Sequence, residues 1–187
     1  ISVSKGIDNK TGMCMSGVIS ESLNISPDNI VILSGPSHAE EVAQKHPTAI
    51  VAACENKDYS REVQKLFSNK YFRVYTSSDV IGVEFGGSAK NIIAIASGIC
   101  NGLGFGDNTV SALVTRGLEE IIRLGTALGA DRATFSGLSG LGDLVVTAFS
   151  PHSRNRQVGI RIGKGEQLND ILSSMEMVAE GVETTRS

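Results

Sequence analysis

Lys90 is the residue whose neighbours best suit it to proton transfer. It lies in Gly86-Gly87-Ser88-Ala89-Lys90-Asn91, just before the apolar run Ile92-Ile93-Ala94-Ile95-Ala96. A cation on a helix that is apolar or small on nearly every face is partly stripped of water. Desolvation, or a nearby cation, lowers a lysine pKa towards the range useful for acid–base work. The competing reading is a lysine that snorkels to solvent or pairs with an acid. Asp143, between Gly140-Leu141-Gly142 and Leu144-Val145-Val146, needs a partner, either Lys90 or a ligand hydroxyl. It equally suits a helix N-cap or first turn. A Lys90–Asp143 pair would raise the lysine pKa, so base chemistry would need an offsetting cation, such as a bound cationic ring or a nearby arginine.

Ser153-Arg154-Asn155-Arg156 follows Pro151-His152. Ser153 at an N-cap, free helix N–H groups and a bidentate arginine can together hold a phosphate, while an ordinary cap with solvated arginines explains the same residues. Gly35-Pro36-Ser37 is a second strand-to-helix junction. There Ser37 and Glu40 make a capping box that accounts for the serine without a ligand. Lys5-Gly6 reads locally as an exposed N-terminal lysine.

These residues need elements to position them. Val31-Ile32-Leu33 predicts a buried strand running into Ser34-Gly35-Pro36. Residues 49–53 and 72–76 predict two more strands, and residues 58–67 a helix with Val63, Leu66 and Phe67 on one face. Strand–helix alternation implies α/β layering. After about residue 78 the strand signals stop. Ile92, Ile95, Ala96, Ile99 and Leu103 recur at helical spacing, as do Val110, Leu113, Val114, Leu118, Ile121, Ile122 and Leu124. Gly86, Gly87, Gly98 and Gly102 would each weaken an isolated helix by roughly 1 kcal/mol, so close approach of another backbone or a ligand is expected there. Gly102-Leu-Gly104-Phe-Gly106 and Gly137-Leu-Ser-Gly140-Leu-Gly142 fail as dinucleotide fingerprints because neither follows a strand. Both read as tight inter-helix turns.

Composition removes several classes. The chain of 187 residues has 17 Lys+Arg and 20 Asp+Glu, a net charge of −3, which excludes a nucleic-acid binder driven by bulk phosphate attraction. The hydrophobic share of 41% is globular. Cys14, Cys54 and Cys100 are far apart and unaccompanied by His38, His46 or His152, so neither a metal site nor a disulfide framework is expected, and reduced thiols are. No apolar run approaches the roughly 18–20 residues of a membrane span.

Six motifs then stand in register: Leu33-Ser-Gly-Pro-Ser-His-Ala39, Gly86-Gly-Ser-Ala-Lys90-Asn91, Gly102-Leu-Gly-Phe-Gly106, Thr115-Arg-Gly-Leu118, Gly140-Leu-Gly-Asp143 and Ser153-Arg-Asn-Arg156. Each is weak alone. Together they resemble the bacterial-type NAD(P)-dependent glycerol-3-phosphate dehydrogenases, from Lys5 to about Glu183. The resemblance implies hydride transfer between NAD or NADP and dihydroxyacetone phosphate or sn-glycerol 3-phosphate, for phospholipid synthesis in the cytoplasm. It implies a homodimer with a small phosphorylated substrate and no nucleic-acid or membrane partner. It makes Lys90 the proton donor or acceptor. It assigns substrate contacts to Lys5, Gly35, Ser37, Lys90, Asn91, Asp143, Ser153, Arg154 and Asn155, and cofactor contacts to Ala39, Arg154, Val178 and Glu180. Asn91 and Asp143 would orient the lysine and the substrate hydroxyls.

The implied fold is α/β plus all-α. Residues 1–77 would be the rear part of a Rossmann-type dinucleotide-binding domain. Residues 78–187 would be an all-helical substrate-binding and catalytic domain of the 6-phosphogluconate-dehydrogenase C-terminal-like kind. The family's opening G-x-G-x-x-G unit does not occur here, and the family's last helices are expected to be missing. Two other readings stand beside this one: a 6-phosphogluconate-type hydroxy-acid dehydrogenase, and a non-catalytic helical module that binds phosphorylated ligands or assembles oligomers. Residues 1–187 alone are expected to be inactive, and measurable NAD(P)H oxidation by that purified polypeptide would overturn the expectation.

Overall fold

In the computed structural model, which describes residues 1–187, strands β1 (Ile32–Ser34), β2 (Thr48–Ala53) and β3 (Phe72–Ser77) form one sheet in the order β1-β2-β3. β1 runs antiparallel to β2, with Leu33 opposite Ala52, while β2 and β3 are parallel, with Ile50 opposite Val74. A parallel pair needs a crossover, and helix α3 (Lys57–Phe67) supplies it. Val31, Leu33, Ile50, Ala52, Val63 and Val74 fill the core on one face of the sheet. Ile30, Ile32 and Ala53 pack on Val83 on the other. Burial on both faces is why Val31-Ile32-Leu33 is a continuous apolar run without alternation.

The first residues lie along β1. Ser2 bridges Ile32 in parallel; its N–H donates to Val31 O and its carbonyl accepts from Leu33 N, both at 2.8 Å. An extended segment advances roughly 3.3 Å per residue. Lys5 is therefore carried to the end of β1 where Ser34 and Gly35 turn away, and it is not the exposed terminal lysine its local sequence suggests. Helix α1 (Met15–Leu23) follows, and its N-terminus is tied to buried Glu84, which accepts from Ser16 N at 2.9 Å and from Ser16 Oγ.

Two local expectations are corrected. Ser37 does not cap helix α2 (Ala39–Ala43): His38 occupies the N-cap, no side chain bonds the helix end, and Ser37 Oγ donates to Gly35 O at 3.1 Å. On α3, Val63 is buried but Leu66 is 71% exposed, because the helix touches the sheet along a stripe too narrow to include it.

From Ser78 onward the structure is helical: α4 (Val80–Gly102), α5 (Asp107–Ala127), a 3-10 segment (Arg132–Ser136), a π-helical turn (Leu138–Gly142), α6 (Asp143–Phe149), α7 (Arg154–Gly163), α8 (Leu168–Ser173) and α9 (Glu180–Thr184). Gly104, at φ +80°, makes the turn expected between α4 and α5. The 137–142 cluster is a wide helical turn instead. A Cβ on Gly140 would stand 2.2 Å from Phe135 O, so the turn closes directly onto the 3-10 segment. No helix is long and apolar enough to cross a membrane.

α4 runs through the middle of the helical part. Its N-cap Asp79 accepts from Gly82 N at 2.8 Å, and its other carboxylate oxygen accepts from Asp131 N and Thr134 Oγ1. Its glycines meet their expected purpose. A Cβ on Gly98 would lie 2.1 Å from Arg156 O, and one on Gly159 would lie 2.0 Å from Ile95 O. Gly102 and Gly163 repeat the arrangement one turn further along. Two glycine stripes thus bring α4 and α7 into backbone contact, and that contact sets where Ser153 and Arg154 begin α7. Gly98→Ala is expected to destabilise the fold by about 2 kcal/mol or more, despite its better helix propensity, through overpacking against rigid backbone. Gly106→Ala, with no atom within 4 Å of the new methyl, should cost well under about 1 kcal/mol. Urea denaturation of both variants checks the contrast.

Candidate active site

Helix α4 delivers Lys90 into the interior, where the residue is only 5% exposed. Its Nζ donates to Asp143 Oδ1 at 2.7 Å and to Thr147 Oγ1 at 2.6 Å. Asp143 and Thr147 lie one turn apart on α6, so they share a face. The threonine hydroxyl donates to Asp143 O at 2.6 Å, which leaves its lone pairs for the lysine. The other oxygen of Asp143 accepts from Lys5 Nζ at 2.7 Å. One buried carboxylate is therefore held between two ammonium groups. Asp143 is the first residue of α6 and caps nothing with its side chain, so its helix-end position and its pairing coincide.

This arrangement decides the charge of Lys90. Burial pulls its pKa from 10.5 down to about 8, Lys5 pulls in the same direction, and Asp143 opposes both. A cation offsetting Asp143 is thus supplied by Lys5, a lysine from the first strand-like segment. A lysine near pKa 8 holds and releases a proton at physiological pH, which a solvated lysine does not.

The site opens into a cleft of about 530 Å³ between the sheet and the helical part. Lys5, Lys90, Asn91 and Asp143 line it, together with Ser153, Arg154, Asn155 and Glu180. Gly35, Ser37 and Ala39 line the side formed by the β1–α2 junction. Gly35 sits at φ +149°, and a Cβ there would stand 3.0 Å from Ile50 Cα, so both conformation and space call for glycine. Ser153 caps α7, its Oγ accepting from Arg156 N at 3.2 Å. Arg154 is exposed at the start of that helix and enters no ion pair. Asn155 Oδ1 accepts from Gly181 N at 2.9 Å, and Asn91 Nδ2 donates to Glu180 Oε2 at 3.4 Å. These two asparagines fix the start of α9. Asn91 makes no side-chain hydrogen bond to Lys90, whereas Thr147 Oγ1 accepts one from Lys90 Nζ.

One predicted site residue stands apart. Val178 is 70% exposed and does not line the cleft; its neighbour Met177 does. Sequence reasoning missed Thr147, which sits four residues after Asp143. That i,i+4 spacing was the available signal once Asp143 was placed on a helix. The cysteines stay outside the site, and burial, with Glu84 nearby, pushes the Cys14 thiol up to about 11.

Comparison with known proteins shows the family. Residues 79–187 match the family description "NAD-dependent glycerol-3-phosphate dehydrogenase C-terminus", and residues 1–60 match its N-terminal counterpart. A glycerol-3-phosphate dehydrogenase (NAD(P)+) of Carboxydothermus hydrogenoformans is 58% identical over the whole chain, which covers 56% of that protein. The corresponding protein 1 of Salinibacter ruber is 56% identical, with 55% of it covered. The chain spans about half the length of the curated relatives it matches. The crystal structure of the Coxiella burnetii glycerol-3-phosphate dehydrogenase superposes with a TM-score of 0.91 at 39% identity, over 98% of this chain and 55% of that one. The Saccharomyces cerevisiae enzyme gives 0.84 at 29% identity, over 99% of this chain and 57% of that one.

Replacing the shared carboxylate tests the site's electrostatics. Asp143→Asn leaves two ammonium groups without a counter-charge and is expected to destabilise the fold by about 3 kcal/mol at neutral pH. Chemical denaturation measures it, and a loss below about 1 kcal/mol would contradict the buried pairing.

Proposed function

Since the chain belongs to the NAD-dependent glycerol-3-phosphate dehydrogenase family, we propose that it carries the proton-transfer and substrate-binding machinery for interconverting dihydroxyacetone phosphate and sn-glycerol 3-phosphate. The observation that carries this reading is Lys90, desolvated and held between Asp143 and Thr147 with Lys5 beside it. The proposed division of labour follows residues 1–77, around the sheet, and 78–187, the helical part.

NAD or NADP is the proposed cofactor, and its nicotinamide ring, when bound, supplies or accepts the hydride. The cleft suits such a ring. Leu33, Ile50, Phe67 and Phe72 make part of it apolar, and Lys90 lies in the same cleft. Ala39, Arg154 and Glu180 would hold that end of the cofactor. Ala39 and Glu180 each begin a short helix at the cleft edge. Val178 is left out of this set.

In ketone reduction the carbonyl carbon gains a hydride and the carbonyl oxygen becomes an alkoxide that must take a proton. Protonated Lys90 donates it from Nζ, and in the reverse direction neutral Lys90 accepts it. Thr147 and Asp143 fix the ammonium so that one N–H remains for the substrate. Lys5 keeps the lysine near neutrality and would stabilise the developing oxyanion. The substrate phosphate would sit at Ser153, Arg154 and Asn155, where the N–H groups of α7 and the arginine offer donors. Gly35 and Ser37 would border the substrate from the β1–α2 junction. Glycerol 3-phosphate from this reaction would enter phospholipid synthesis. A homodimer in the cytoplasm is the proposed working form. The apolar trough of Leu138, Leu141, Val145 and Phe149 supports a covered surface, and light scattering on the complete polypeptide reads the stoichiometry.

The test is NADPH oxidation by the complete polypeptide with dihydroxyacetone phosphate, against unphosphorylated dihydroxyacetone. Rapid turnover of the phosphate ester alone is expected, and turnover of neither would overturn the reading. Lys90→Met should lower kcat by about 10²–10⁴-fold while the protein stays folded. Because the Lys90 pKa is lowered to about 8, alcohol oxidation should rise with pH through about 8 and ketone reduction should fall through the same range. Lys5→Met removes a cation that lowers this pKa, so both profiles should move to higher pH. An unmoved profile would separate Lys5 from the proton-transfer step.

A further inference from the structure

The cleft wall holds two imidazoles that the proton-transfer machinery does not use. His38 directly follows Ser37 and stands at the N-cap of α2, where its side chain caps nothing. His152 directly precedes Ser153; its backbone N–H donates to Ser150 Oγ at 3.1 Å. Both rings line the cleft. Their centroids are 5.9 Å apart and their planes are tilted by 56°. His38 Nε2 is buried and has no hydrogen-bond partner. A buried ring nitrogen without a partner costs free energy and calls for an explanation.

The surroundings narrow that explanation. The imidazoles adjoin Ser37 and Ser153 in sequence, so the β1–α2 junction and the start of α7 meet at the histidine pair. Arg154 is the adjacent free cation. Glu40 and Glu180 also line the cleft; among its remaining lining groups, Arg154 and the two imidazoles are the ones that suit an anion. A phosphoryl group carries three strong acceptor oxygens. An arginine and a helix end satisfy some of them, and a histidine N–H suits another.

We propose that His38 and His152 form a wall of the phosphate subsite, donate to phosphoryl oxygens, and so set the preference for a phosphate ester over the free alcohol or ketone. The proposal rests on reading the cleft as a phosphate-ester site, and it adds two residues to that reading.

Steady-state kinetics of the complete polypeptide with dihydroxyacetone phosphate and NADPH test it. H38Q and H152Q should each raise KM about tenfold, the worth of a charge-assisted hydrogen bond, with kcat within about twofold. H46Q, on the exposed turn before β2, should change neither. NMR of the imidazole Cε1–H groups in the wild-type protein gives a readout independent of variant folding, with these same substitutions assigning the signals. Glycerol 3-phosphate should shift His38 and His152 but not His46, and glycerol should shift none. If the phosphate ester is turned over and R154Q raises its KM, while both histidine variants keep the wild-type KM and the resonances stay in place, the histidine pair is structural. The inference then falls and the site reading stands. If the ester neither binds nor reacts, both fall together.

Discussion

A single carboxylate shared by two ammonium groups is the interaction on which this cleft depends. Asp143 is almost fully buried, and each of its oxygens accepts from a different lysine. One carboxylate cannot neutralise two cations, so the cluster carries an excess positive charge in a place of low polarity. The least costly relief is for the more deeply buried lysine to release its proton easily. Lys90 is that lysine, and Lys5, with its side chain 20% exposed, keeps more of its hydration. A plain buried ion pair would instead hold Lys90 charged. The difference between a structural salt bridge and an acid–base group is here the depth of burial of Lys90, reinforced by the second lysine.

That cluster exists because α4 joins segments far apart in the chain. Going along the helix, Glu84 accepts from the N-terminus of α1, Ser88 Oγ accepts from Gly6 N at 2.8 Å, and Lys90 reaches α6. Asn91 meets Glu180 at the start of α9. The Ser88 contact holds the backbone next to Lys5, so the second cation is brought in by the same helix that carries the first. Further on, polar contacts give way to Gly98 and Gly102, which let α7 pack backbone to backbone. The first half of α4 thus gathers the charged groups, and the second half sets the position of the helix end that would face a phosphate.

Much of this was legible from residue order. Three strands, the long helices and the end of strand signals near residue 78 followed from periodicity, since burial of a face imposes spacing on a sequence. Lys90 and Asp143 stand out because each is polar amid small or apolar neighbours, and Ser153 because it suits an N-cap beside two arginines. Local reasoning failed where the neighbours were distant in sequence. Lys5 looked like a surface lysine because nothing near it announces the parallel bridge from Ser2 to Ile32. Leu66 looked buried because amphipathic spacing does not say how wide the contact is. Ser37 fitted a capping box by spacing, but its hydroxyl turned back to Gly35 O. Val178 is implied by a family resemblance alone, and nothing local shows that it is exposed outside the cleft lining.

The sequence by itself determined the three strands and the long helices, where the glycines of α4 must lie against another backbone, and which residues are candidates for chemistry. These are short-range consequences of side-chain shape, polarity and period. Tertiary structure alone decided the ionisation of Lys90. That property depends on burial and on two charges, one 85 residues before it and one 53 after it (90 − 5 and 143 − 90). Electrostatic energy depends on distance through space and on excluded water, and neither is encoded in the spacing of residues along a chain.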